Sequence, residues 1–125
     1  MNPSTNHVVT AVDQGHLSAI VRTIEALKGE DTVALDVRGF LIPTSFIVIT
    51  SVNNVKQLQA VCEEVASCLD ITPLYREGRN SAQWQVVDFG SIIVHVMSEE
   101  ARSFYELDEL WEGVTVALPV ESAVG

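Results

Sequence analysis

The stretch with the strongest outward look of chemistry is Asp88-Phe89-Gly90 in QVVDFGSIIVHVM, because a DFG aspartate holds magnesium in protein kinases. The rest of a kinase is missing: the chain has 125 residues, no glycine-rich loop and no HRD-type catalytic loop. Asp88 to Ser91 therefore reads as a hairpin turn in which Gly90 supplies a positive φ. Gly90-Ser91 also matches the start of a nucleotidyltransferase signature, which needs two acids one residue apart on a strand to hold two metals around a triphosphate. The later candidates, Glu106 and Asp108, fall in a segment expected to be helical, where positions i and i+2 diverge by about 200° and cannot pinch one metal. His7, His16 and His95 are scattered and show no convergent ligand set. His95, alternating with apolar neighbours, reads as a core histidine bonded to backbone or carboxylate. Cys62 and Cys68 fit neither a CxxC pair nor a metal-ligand spacing, so they read as buried reduced thiols. With no GxSxG, HExxH or GxxxxGK, no catalytic, metal or cofactor-binding residue is assigned.

A framework must position whatever the chain does present, and the apolar spacing outlines it. Leu17, Ile20, Ile24 and Leu27 recur at helical intervals, with Gly29 where a left-handed cap would stop the helix. TVALDV (32–37) and FIVITS (46–51) are β-branched and short, and read as strands. The eight residues linking them are too few for a parallel crossover, so the pair is expected to be antiparallel. Val55, Leu58, Cys62, Val65 and Leu69 make the stripe of a second helix with Asn53 as its N-cap. TPLYREGRNSAQ reads as a loop or short edge strand, the only strand position that tolerates Pro73. Trp84–Phe89 and Ser91–Met97 read as strands, the second apolar on both faces and so expected to be central and covered by helices on both sides. A last helix is expected from Ser98 to Trp111. The fold class is a single α/β/α domain with a mixed sheet of four to five strands over residues 15–112, between an N-terminal arm (1–14) and a C-terminal tail (113–125).

Seventeen acidic residues against seven basic ones give a net charge of −10, which repels nucleic acid and anionic lipid and attracts basic protein surfaces. The opening lacks a basic region followed by an apolar one, and no apolar run approaches the ~18 residues of a membrane span, so the chain is expected in the cytoplasm.

Against that background VHVMSEEARSFYELDELW stands out. As a continuous helix it would put Phe104, Leu107 and Trp111 on one face to cover the sheet, with Tyr105 about 100° away. Arg102 would pair along that helix with Glu99 and Glu106. Tyr105, and Trp84 between Gln83 and Gln85, have the composition of an interface hot spot with a charged rim. Plain burial in the core is the other reading of the same rings.

GEDTVALDVRG, followed by NSAQWQVVDFGSIIVHVMSEEARSFYELDELW, resembles the bacterial ribosomal silencing factor family, also called Iojap-like, from the first helix to Trp111. The resemblance implies a fold related to nucleotidyltransferases without their metal-binding acids. It implies a non-enzymatic role: binding to ribosomal protein number fourteen of the large subunit, blocking its association with the small subunit and repressing translation under nutrient limitation. The matching partner-binding positions are Asn80, Ser81 and Trp84, then Tyr105, Glu106 and Leu107, with Trp84 and Tyr105 as anchors and Glu106 facing basic side chains. Asp36 and Arg38 also match and are expected to order a loop. In TSVNNVKQL the family pattern changes: Val52 replaces a glycine and Lys56-Gln57 replace an arginine-histidine pair, while Ser45 stands where aspartate is common. Two other readings are kept, a nucleotidyltransferase-like nucleotide-binding protein or enzyme, and an adaptor that forms a homodimer when free.

Overall fold

The computed structural model describes residues 9–111, 115 and 116. The first helix, α1 (Ala11–Ala26), begins inside the stretch expected to be an arm. Thr10 explains the early start, because its side chain accepts from the Asp13 N–H at 3.1 Å and Asp13 sits at the positive end of the helix dipole. Leu17, Ile20, Val21 and Ile24 are buried along its inner face. The left-handed residue after α1 is Lys28 (φ 70°), not Gly29. Gly29 is required for space instead: a Cβ there would lie 2.4 Å from Ile24 Cγ2 and 2.7 Å from Thr50 Oγ1.

The second helix, α2 (Val55–Ala66), is capped by Asn54 rather than Asn53, its side chain accepting from the Gln57 N–H at 2.8 Å. Gln57, one of the positions where the resemblance is expected to break, has a visible task. Its Nε2 donates to the carbonyls of Leu27 and Lys28, both at 3.0 Å, so it closes the end of α1 from across the loop. Val52, another of these positions, is buried at the end of a strand.

The strands are β1 (Glu30–Asp36), β2 (Phe46–Val52), β3 (Tyr75–Glu77), β4 (Trp84–Asp88), β5 (Ile92–Ser98) and a two-residue β6 (Thr115–Val116), in the order β3-β4-β5-β2-β1-β6. The sheet thus has six strands where four to five were expected, the sixth a short one from the stretch read as a tail. β2 and β5 are parallel, from Phe46↔Ile92 to Val52↔Ser98, and every other neighbouring pair is antiparallel, including β1 with β2 as expected. The DFG segment is the expected turn: Gly90 has φ 95° and donates its N–H to Asp88 Oδ1 at 2.7 Å.

α1 and α2 lie on one face of the sheet, where Leu17, Ile24, Phe46, Leu58, Val65 and Val94 share one core. The other face carries Leu35, Val37, Ile47, Ile49 and Met97 under a much shorter third helix, α3 (Glu99–Tyr105). Helices therefore do not cover β5 fully on both sides. Ile93 and His95 stay half-buried because α3 ends after seven residues.

Candidate docking site

The expected helix from Ser98 to Trp111 does not form as one element. Ser98 caps α3, its Oγ accepting from the Ala101 N–H at 3.0 Å, with Glu99 and Glu100 in the first turn. The helix stops at Glu106, which is left-handed (φ 51°), and the chain continues as a 3₁₀ turn over Leu107–Trp111. Arg102 accounts for the corner. It pairs with neither Glu99 nor Glu106, but makes a two-pronged bond to Asp108, Nε to Oδ1 at 3.1 Å and Nη2 to Oδ2 at 2.7 Å. Its Nη1 donates to Ser51 Oγ at 3.0 Å, tying the corner to β2. The hydrogen bonds from Arg102 hold the Asp108 carboxyl below the usual carboxylate range.

The last two residues of α3 carry an aromatic pair that faces outward. Phe104 is 79% exposed and Tyr105 56% exposed, whereas Leu107 folds back against the Leu35–Met97 cluster. Phe104 and Leu107 therefore do not share one buried face, and the expected place of the Trp111 ring lies outside what is described, which at that residue is the backbone alone.

Trp84 reaches the same patch from the sheet. The β4–β5 register, Trp84↔Met97 and Val86↔His95, sets these four side chains on one face. The Trp84 ring centroid is 5.0 Å from that of Tyr105, which is 5.0 Å from that of Phe104 in an edge-to-face contact. Trp84 Nε1 donates to His95 Nδ1 at 3.0 Å. The histidine's partner is thus an indole, not backbone or carboxylate. Burial pushes His95 down to about 4, against a smaller opposing pull from Asp88, so the imidazole is neutral at pH 7.

The loop before β4 is built to hold that tryptophan. Gly78 is left-handed (φ 70°), and a Cβ there would lie 2.5 Å from the Trp84 carbonyl oxygen. Ser81 Oγ accepts from the Gln83 and Trp84 N–H groups, both at 3.1 Å. Gln85, fully buried, donates its Nε2 to the carbonyls of Arg79 at 3.2 Å and Ser81 at 3.0 Å. The structure thus brings Ser81, Trp84 and Tyr105 together around a cleft of about 470 Å³, lined also by Glu77, Gly78, Gln83, Val86 and His95. Asn80 is exposed on the loop, Glu106 is exposed at the corner, and Leu107 is half-buried beneath it.

His95 lines the cleft, Phe104 abuts Tyr105 and Gln85 braces the loop, and none of the three is singled out for the site from sequence. Counting back from the Gly90 turn could have found His95, since that count places it opposite Val86, two residues from Trp84. Phe104 had no comparable signal.

Elsewhere, Arg38 Nη2 bonds Asp36 Oδ2 at 2.6 Å and orders the loop after β1, as expected. Cys62 is buried and its thiol is pushed up to about 12, and burial also raises that of half-buried Cys68, so both stay protonated. Among the described residues no three His, Cys, Asp or Glu side chains converge as metal ligands, and no helix is long and apolar enough to cross a membrane.

The class is a small mixed α/β domain with two helices packed on one face and an outward-facing aromatic row on the other. The chain belongs to the ribosomal silencing factor family: the family model described as "Ribosomal silencing factor during starvation" matches residues 10–123. It is 36% identical over 95 residues to the ribosomal silencing factor RsfS of Haemophilus influenzae, covering 74% of this chain and 93% of that one. It is likewise 36% identical over 107 residues to RsfS of Treponema pallidum, covering 82% and 96%. Among solved structures, a Bacillus halodurans protein superposes with TM-score 0.72 at 33% identity, covering 84% of this chain and 99% of that one. A Chromobacterium violaceum protein superposes with TM-score 0.76 at 25% identity, covering 83% and 89%.

Proposed function

We propose that this protein is a cytoplasmic, non-catalytic repressor that docks on ribosomal protein number fourteen of the large subunit and blocks association with the small subunit when nutrients are limiting. The observation that carries this reading is the contiguous row Trp84–Tyr105–Phe104, whose last two rings stand exposed on a surface fixed by hydrogen bonds to the loop and the corner. A rigid aromatic row costs little conformational entropy on binding and supplies hot-spot area. The net charge of −10 steers the molecule to a basic protein surface. Occupancy alone is sufficient for a steric block, and no reaction is needed.

Subunit-joining assays with purified large and small subunits test it. Saturating protein is expected to suppress joining, and Trp84→Ala to weaken docking by about 2 kcal/mol or more. Unchanged joining at saturation would overturn the proposal. No observation favours the nucleotide-binding alternative, for which calorimetry with magnesium and nucleoside triphosphates is expected to show no heat of binding. Sedimentation of the free protein decides whether the aromatic row also serves a homodimer.

A further inference from the structure

The cleft beside Trp84 holds one polar group whose chemistry its surroundings dictate. His95 lines the cleft, and its Nδ1 is already occupied as acceptor of the Trp84 indole N–H. A neutral imidazole has one N–H, so the proton must sit on Nε2. That Nε2–H has no hydrogen-bond partner among the described residues and is not sealed from solvent. The tryptophan thus locks the tautomer and leaves a single oriented donor for whatever enters.

We propose that this cleft is a binding subsite for a carbonyl oxygen of a basic protein segment, received by the His95 Nε2–H beside the Trp84 and Tyr105 rings. The occupant must be an acceptor, because the histidine offers only a donor. It must be uncharged, because Glu77 lines the same cleft and the chain carries −10, so a carboxylate or phosphate would be repelled. A peptide or carboxamide carbonyl meets both conditions, and the Trp84 and Tyr105 rings give it apolar walls to lie against. Burial keeps the imidazole neutral at pH 7, which preserves the lock. A basic neighbour in the same segment would meet Glu77.

This subsite rests on the docking reading above, and three substitutions at one position separate the two. In His95→Asn the amide oxygen can stand in for Nδ1 and keep the indole bond, but nothing replaces the Nε2–H. In His95→Gln the amide nitrogen can stand in for Nε2 while the Nδ1 acceptor is lost. His95→Leu has neither group. Co-sedimentation with purified large ribosomal subunits reads docking, and the Trp84 indole N–H resonance of the free protein, identified by its loss in Trp84→Phe, reads the lock.

We expect His95→Asn to dock about tenfold more weakly with the indole resonance unmoved. His95→Leu should dock at least as weakly with the resonance shifted, and His95→Gln should dock better than His95→Leu. If His95→Asn docks like wild type, the donor is unused and the subsite is overturned while the docking reading stands. If wild type itself does not co-sediment, the docking reading fails and takes the subsite with it.

Discussion

The two faces of the sheet are made by the same strands yet are held in different ways. Towards α1 and α2, side chains such as Ile20, Ile24, Leu58 and Val94 are wholly buried among other apolar groups. Towards α3, Trp84 leans on His95, Arg102 spans Asp108 and Ser51, and two aromatic rings remain in solvent. Dispersion and water exclusion hold the first face, where what matters is the volume filled. The second face has a smaller apolar cluster from Leu35 to Met97 and adds directional polar bonds, which set the angle at which a ring or a donor is presented. Stability and docking should accordingly be separable by mutation.

The strongest test of that separation is Leu58→Ala, which should lower the unfolding free energy by about 2–5 kcal/mol in denaturant titrations. The folded fraction should dock on large subunits as wild type does. A parallel loss of affinity would show that the two faces are coupled.

A smaller effect comes from pH. His95 titrates at about 4 in the folded chain, below its ordinary 6.5, so folding favours its neutral form. The associated stability is fully present above pH 6.5 and is lost as pH falls from there through 4, by up to about 3 kcal/mol. Asp108 acts lower down: its stabilising pairing is present above the ordinary value of 3.8 and is lost as pH falls through its depressed value. Denaturant midpoints at pH 7, 5 and 4 should therefore drop for wild type, and this slope should flatten in His95→Asn. An equal drop in both would place the pH response outside the Trp84–His95 pair.

The smallest effect sharpens the contrast furthest. Asp108→Asn should change unfolding by no more than about 1 kcal/mol, since the carboxylate is partly exposed. It loosens the corner that aims Phe104 and Tyr105, so docking should weaken while the thermal midpoint barely moves. Unaltered affinity would mean that the corner keeps its shape without the pair.

Much of the framework was legible because it depends on local or periodic signals. The stripe through Leu58, Cys62 and Val65, the β-branched runs of β1 and β2, and the Gly90 turn each express a preference that needs no distant partner. Errors clustered at ends, where one hydrogen bond decides: Thr10 started α1 early, Asn54 displaced Asn53 as a cap, and Lys28 rather than Gly29 took the left-handed corner. Trp84 and Tyr105 could be named from their residue types and polar neighbours, and from a family resemblance. Their contact at 5.0 Å could not be, because it joins residues 21 positions apart through a strand register and a helix break.

The sequence by itself settled the helix stripes, the strand runs, the acidic balance and the family, since these follow from composition and from spacings of a few residues. Tertiary structure alone decided that the last helix stops at Glu106, that Phe104 faces solvent, and that His95 serves Trp84. The physical reason is that each outcome turns on a choice between competing partners. Arg102 had carboxylates within its own helix but took Asp108 beyond the corner together with Ser51 on β2, and only the folded geometry makes that set available at once.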